Sequence, residues 1–339
     1  MSYYALRPSP SLVGAPCNAP LLRPALKPLT LRLSVAERCN FRCRYCTPPD
    51  GFPKTPYHLL PSLDQLADSA EWLSSKWNVR RIKVTGGEPL VRPGLVGVVQ
   101  RLAGIDRISE VSLTTNGSLL KALAKPLRQA GLKRVNVSLD TLNPERFHEL
   151  CGGKLSETLE GIEAAVDADL SPVKLNAVLH KSAWREDVPK LLDYATARGL
   201  ELRFIELMQI GPAQGWARRE FVPAIEVREW LQTGARVTSL SHKEGVPARQ
   251  TSIIWGEKEI VVGWITPESE AFCAGCDRLR LDSHGRLRRC LMDMAFLPLV
   301  EILEKEGDEA AQLATSNYLE GKRPPEFMNA EHSMITLGG

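Results

Sequence analysis

From Leu29 to about Met208 the chain alternates two textures, and this alternation limits the fold more than any other feature. Short β-rich runs occur at Leu29–Val35, Arg81–Val84, Glu110–Leu113, Arg134–Val137, Val173–Leu179 and Glu201–Ile205. The segments between them carry helical spacing, as at Asp64–Trp77, Lys121–Ala130, Glu157–Ala168 and Glu186–Arg198. Gly131 and Gly199 stand where helices should stop before the next strand. Repeated strand–helix units predict an α/β fold with a parallel sheet covered by helices. About six units predict an incomplete (β/α)6 barrel of TIM type.

The rest of the 339 residues divides around this core. Residues 1–28 are rich in proline, lack Asp and Glu, and read as a loosely ordered arm; with no continuous apolar core they make a poor secretory signal, and sparse Arg argues against a transit peptide. After Gly211 the texture changes. Glu220–Leu231 reads as a helix, Arg236–Ile265 as short strands and turns, and the remainder as a mostly helical stretch with a tail. The expected division is therefore an arm at 1–28, a barrel at 29–220 and a smaller α+β region at 221–339. Hydrophobic residues at 43% supply a core of this size, and no apolar run approaches the ~18–20 residues of a membrane helix. A formal charge of +3 suits an anionic small ligand better than a nucleic acid. The expectation is a cytoplasmic protein with no membrane or nucleic-acid partner.

Every strand is followed at once by an unusual polar group. A cysteine triad follows the first and Thr85-Gly86-Gly87-Glu88-Pro89 the second. Thr114-Thr115-Asn116-Gly117 follows the third, Ser138-Leu139-Asp140 the fourth, Asn176 the fifth, and Glu206 with Met208 the sixth. Carboxyl ends of barrel strands share one face, so these groups are expected to converge there.

The eight cysteines include two tight triads. Cys39, Cys43 and Cys46 have the spacing C-x3-C-x2-C. Three thiolates with no fourth nearby leave one iron of a 4Fe–4S cluster open. An open iron suits S-adenosylmethionine (SAM), whose amino-acid end can chelate it before reductive cleavage to a 5′-deoxyadenosyl radical. Zinc, which favours four ligands and C-x2-C pairs, fits this spacing poorly. The second triad, Cys273, Cys276 and Cys290, has the spacing C-x2-C-x13-C. Zinc with His284 as fourth ligand competes here with a second cluster. Arg278 and Arg280 follow Cys276 on one face of an expected strand, where paired guanidiniums suit a polyphosphate. Arg32, Lys83, Lys174 and Arg203 also lie on expected strands, where a cation needs an anionic partner: a bound triphosphate or core carboxylates.

The run from Leu31-Arg32-Leu33-Ser34 through Cys39-Asn40-Phe41-Arg42-Cys43-Arg44-Tyr45-Cys46 resembles the opening of the MoaA family, GTP 3′,8-cyclases of molybdenum cofactor synthesis. The Arg-Leu-Arg inside the second triad and the terminal Gly338-Gly339 match that family too, so the likeness spans nearly the whole chain. It implies SAM contacts at Tyr45, Gly87, Ser138 and Met208, although Met208 alone fits core packing as well. It implies GTP contacts at Arg32, Lys83, Thr114, Lys174, Arg203, Arg278, Leu279 and Arg280, with the open iron of a second 4Fe–4S cluster on the guanine. A Gly338-Gly339 tail would reach the site and act there with Arg278 and Arg280. The implied partners are GTP, an electron donor and a downstream cyclic pyranopterin monophosphate synthase, and a homodimer is compatible with the family. Departures flank the ligands: Thr47 replaces a usual methionine, Ala36 a usual threonine, and Arg249–Ile260 and Arg323–Asn329 are atypical. A two-cluster enzyme acting on a peptide and a non-enzymatic metal sensor are the rival readings.

Overall fold

The computed structural model describes residues 28–47, 51, 55–210, 214–241, 248–270 and 276–320. The six expected strands form as β1 Leu29–Ser34, β2 Val79–Thr85, β3 Glu110–Thr115, β4 Arg134–Ser138, β5 Lys174–Leu179 and β6 Glu201–Glu206. Between them run α1 Leu63–Trp77, α2 Leu95–Ala103, α3 Leu120–Gln129, α4 Pro144–Cys151, α5 Leu155–Asp167 and α6 Trp184–Arg198. Local chemistry sets several ends. Ser62 and Gln65 close a capping box on α1, and Asn143 caps α4. Gly131 and Gly199 take φ values of 95° and 64° after α3 and α6, a conformation open to glycine at no steric cost.

β1 to β6 pair in parallel and in order, the incomplete barrel that the alternation predicts. The C-terminal part joins the same sheet. After α7 Gln214–Glu220 and α8 Ala224–Gln232, the chain forms β7 Arg236–Ser239, β8 Arg249–Trp255 and β9 Lys258–Ile265, then β10 Arg278–Leu281 and β11 Leu287–Arg288. β9 lies parallel to β6, and β10 lies parallel to β1 at the opposite edge. The full order is β11-β10-β1-β2-β3-β4-β5-β6-β9-β8-β7. α9 Leu299–Lys305 and α10 Gly307–Glu320 return to α1, where Asp308 takes hydrogen bonds from Lys76 at 2.7 Å and Trp72 Nε1 at 2.6 Å. The helix expected at Glu220–Leu231 is corrected to α7 and α8, because Pro223 is extended and leads α8 instead of continuing α7.

The two faces of the barrel strands differ. Leu31, Leu33, Ile82, Val84, Leu113, Val135, Val137, Leu175, Leu202 and Phe204 are buried in one continuous core. Phe204 packs on fully buried Trp264 of β9, ring centroids 5.3 Å apart. Burial of such a ring contributes about 1.5–3 kcal/mol, which fastens the C-terminal hairpin to the barrel. The alternate residues carry charge and hydrogen-bonding groups. Parallel strands covered on both sides are usually apolar throughout, so a polar inner face marks the lumen as a site.

Candidate active site

The inner face carries a row of like charges. Arg280, Arg32 and Lys83 stand abreast on β10, β1 and β2, in register. Ser112 of β3 and Arg134 of β4 extend the row. Above it lie Thr114, Asn136 and Lys174, also in register, and Arg203 beside Asn176. Among the described residues, two of these cations meet carboxylates in hydrogen-bonded pairs. Glu110 accepts from Arg134 at 2.7 Å, and Glu201 pairs with Lys174. Thr114 Oγ1 accepts from Asn136 Nδ2 at 3.1 Å.

The electrostatics show the strain of this crowding. Burial, then Arg278, lowers Arg32 to about 10. Burial pushes Lys83 well below its ordinary value, and Arg32, Arg134 and Arg203 push it further against the pull of Glu110. Arg280 is also held well down by burial, Arg32 and Arg278, with Cys290 and Cys276 opposing. Burial and Arg203 lower Lys174, with Glu201 acting against them, and burial lowers Arg203. Like charges side by side on a sheet destabilise it. A polyanion placed among them would reverse that penalty.

At the carboxyl end of the barrel the β1–α1 loop crosses over the other strand ends. Its Asn40 Oδ1 accepts from Asn116 Nδ2 at 2.9 Å after β3. Arg42 N–H and Arg44 N–H donate to the carbonyls of Cys151 (2.7 Å) and Leu150 (2.9 Å) at the end of α4. Tyr45 O–H donates to Asp140 at 2.8 Å after β4, and Asp140 also accepts from Val178 N–H at 2.9 Å. The Gly-Gly turn after β2 grips this loop from beneath: Gly87 N–H donates to Ala36 O at 2.6 Å and Glu88 N–H to Arg38 O at 2.8 Å. A Cβ on Gly87 would lie 2.4 Å from the Arg38 carbonyl oxygen, so only glycine fits. Glu88, buried and raised to about 7, accepts from Thr115 O–H, Asn116 N–H and Leu90 N–H.

Cys39, Cys43 and Cys46 are half-buried on that loop. The Cys39 sulfur accepts from Phe41 N–H at 3.3 Å and Asn116 Nδ2 at 3.9 Å, contacts that suit a thiolate. Burial pushes Cys39 up to about 11 and Cys46 up to about 12. A bound metal would deprotonate both outright. Among the described residues no three His, Cys, Asp or Glu side chains form a ready cage for one ion. Thiolates that hold different irons of one cluster stand farther apart than ligands of a single ion. The donor set, three soft sulfurs on one backbone loop with N–H groups aimed at that of Cys39, fits an iron–sulfur cluster.

At the open end of the antiparallel β10–β11 hairpin lie Cys276 and Cys290. Arg278 Nε donates to Cys276 sulfur at 3.3 Å, and Met292 N–H to Cys290 sulfur at 3.4 Å. Cys273 and the Gly338-Gly339 tail lie outside the described residues. His284, the alternative zinc ligand, has its Nε2 2.9 Å from Glu37 Oε2 at the base of the first loop. Burial alone would raise Glu37, but bonds from His284 and Thr55 hold it below the usual carboxylate range. Leu279 points away from its arginine neighbours into the core. Ser138 ends β4 and Met208 follows β6, both half-buried. Glu206 departs from its expected place among the cavity groups. It faces the helical side, accepting from Ala224 N–H at 2.9 Å and Ser269 N–H at 3.0 Å, so it fixes loops. Arg134, Asn136 and Asp140 belong to the site, though sequence spacing singled out only the third, as part of a motif; the period-two pattern of Arg134-Val135-Asn136-Val137-Ser138 carries the signal for the others.

Comparison with known proteins gives the same assignment. The Radical SAM superfamily profile matches residues 33–195, and the Molybdenum Cofactor Synthesis C profile matches residues 200–327. The structure of Streptococcus suis SuiB bound to S-adenosylmethionine shares the fold, with a TM-score of 0.61 and 15% identity over 83% of this chain and 66% of that one. Barrel, loop and profiles together define a protein of the radical SAM class. The GTP 3′,8-cyclase of Pelotomaculum thermopropionicum is 43% identical over 78% of this chain and 81% of its own length. GTP 3′,8-cyclase 1 of Pseudomonas aeruginosa is 40% identical over 81% and 83%, and the Streptomyces coelicolor enzyme 36% identical over 91% and 93%. The chain belongs to the GTP 3′,8-cyclase family.

Proposed function

We propose that this chain converts GTP to 3′,8-cyclo-7,8-dihydroguanosine 5′-triphosphate, the first step of molybdenum cofactor synthesis. The carrying observation is the row Arg280, Arg32 and Lys83, with Lys174 and Arg203 above it, inside a barrel whose mouth holds a three-thiol loop. A row of like charges facing one lumen suits an anion of several charges, which guanidinium and ammonium groups grip through charge-assisted hydrogen bonds. Bound to Cys39, Cys43 and Cys46, a reduced 4Fe–4S cluster with SAM would supply the 5′-deoxyadenosyl radical that takes the ribose 3′ hydrogen.

The chain's own residues do the rest. Arg32, Lys83, Lys174, Arg203 and Arg280 hold the triphosphate, and fixed charges in a water-poor lumen act without reorganising. Ser138, Met208, Gly87 and the Tyr45 backbone shape the SAM site at the strand ends. Cys276 and Cys290, with Cys273, would hold a second cluster beside Arg278 and Arg280, where the guanine can be anchored. Positioning both ligands in one lumen supplies the near-attack geometry on which such a cyclisation depends. The product passes to a cyclic pyranopterin monophosphate synthase, and external donors supply two electrons per turnover, one to cleave SAM and one, with a proton, to quench the cyclised product radical. Among the described residues no helix is long and apolar enough to cross a membrane.

The test is anaerobic reconstitution followed by incubation with SAM, dithionite and GTP. Formation of 5′-deoxyadenosine only with GTP, together with a GTP-derived product of altered mobility, supports the assignment. Cleavage of SAM with GTP returned unchanged would favour a peptide substrate.

A further inference from the structure

The loop that carries the first triad has an outer face as well as an inner one. Cys43 and Cys46 are half-buried, with the Cys43 thiol against Cys151 of α4, and Tyr45 meets Asp140, whereas Arg42 and Arg44 are exposed. Arg44 lies over the Trp216 ring of α7, 5.0 Å from its centroid. Arg218 and Arg219 follow on α7, both exposed, and exposed Lys181 adjoins through its N–H bond of 2.7 Å to the Glu220 carbonyl. Arg44 and Lys181 thus both meet α7, which carries Arg218 and Arg219, and Arg42 lies two residues from Arg44 on the cluster loop. Among the described residues none of them forms a salt bridge. The neighbouring carboxylates are engaged: Glu220 accepts from Ser182 O–H at 2.6 Å and N–H at 3.1 Å, and Glu186 lies between Arg146 and Lys190.

These five cations cannot serve the triphosphate, because the cysteine loop separates them from the inner row. The SAM cleavage in the reaction proposed above requires one electron from outside, and the loop is where that electron must arrive. We propose that Arg42, Arg44, Lys181, Arg218 and Arg219 form the docking surface for an acidic one-electron carrier protein. The inference rests on the radical SAM reading of the first triad. Complementary charge steers a transient encounter and raises its rate without a large buried area. The transfer is outer-sphere: the carrier loses one electron, the cluster gains it, and no bond or proton moves. A nucleic acid is the less favoured occupant, since the chain's charge of +3 is close to balance.

The experiment uses reconstituted holoenzyme and a reduced plant-type ferredoxin as the acidic probe. Stopped-flow bleaching reports cluster reduction, and calorimetry with the oxidised probe reports binding. For wild type, both should weaken steeply between low and moderate salt. The triple variant Lys181→Glu, Arg218→Glu, Arg219→Glu should reduce at least tenfold more slowly with ferredoxin at low salt and lose its salt dependence. Its reduction by dithionite should match wild type, and the Arg/Lys conservative triple should behave as wild type. Equal ferredoxin rates in variant and wild type would overturn the proposal. So would a variant that instead loses nucleic-acid binding, or one whose KM for GTP rises under dithionite. Absence of SAM cleavage in wild type with dithionite would refute the proposed function instead, while the bleaching and binding data still decide the docking surface.

Discussion

Replacing Lys83 with methionine should push stability and ligand binding in opposite directions. Lys83 is half-buried, flanked by Arg32 on β1 and lowered by Arg134 and Arg203 as well as by burial. Replacing buried ionic groups by apolar side chains of similar volume is neutral to stabilising by about 1–4 kcal/mol. Partial access to water in the lumen argues for the lower end, about 1–2 kcal/mol. Because the folded protein lowers this pKa, the penalty is present in full below the lowered value. It fades as pH rises toward the ordinary lysine value of about 10.4. Ligand-free Lys83→Met should therefore melt higher than wild type near neutrality, and the gap should close as the pH is raised. Binding of the triphosphate should lose one charge-assisted contact, about 1.5–3 kcal/mol, or roughly tenfold to 150-fold in affinity. Thermal scans across pH and calorimetric titration with GTP measure the two arms. A variant that melts lower than wild type at neutral pH, or binds GTP unchanged, would refute the reasoning that this row awaits an anion.

Other outcomes follow from the same geometry. GTP binding should raise the lowered pKa of Lys83, so affinity should fall and proton uptake on binding should grow as pH rises; titrations in buffers of different ionisation enthalpy across pH read the uptake directly. Gly87→Ala would set a methyl 2.4 Å from the Arg38 carbonyl, shifting the cluster loop, and SAM cleavage should drop about 100-fold with the far-UV spectrum unchanged. Tyr45→Phe removes the 2.8 Å bond to Asp140; stability should fall by about 1–3 kcal/mol, with faster hydrogen exchange at residues 40–46. Cys290→Ala should lower bound iron from about eight to about four atoms per chain while sparing SAM cleavage; zinc with no loss of iron would point to the zinc alternative.

Much of this protein is local. The six strands lie where β-rich runs stand, because each alternates a core residue with a lumen residue and is closed by its own turn chemistry. Leu31-Arg32-Leu33 and Ile82-Lys83-Val84 declare both their faces in three letters. The triad spacings, the Gly-Gly turn and the Arg-Leu-Arg run are equally readable, since they depend on neighbours in the chain. What sequence could not supply is which strands lie side by side. Arg280 meets Arg32 because β10 returns from the far end of the chain to the β1 edge, and β9 reaches the β6 edge through an antiparallel hairpin. Hydrophobic period reports which face a residue occupies and says nothing of its neighbour across the ladder. Glu206 shows the reverse: its position at a strand end suggested the lumen, but the period of two sets it on the face of Leu202 and Phe204, where Ala224 and Ser269 make it a loop anchor. The sequence determined the elements and their chemistry. Long-range pairing alone decided that the scattered cations form one row, because only in the folded sheet do their separate desolvation costs fall on a single cavity.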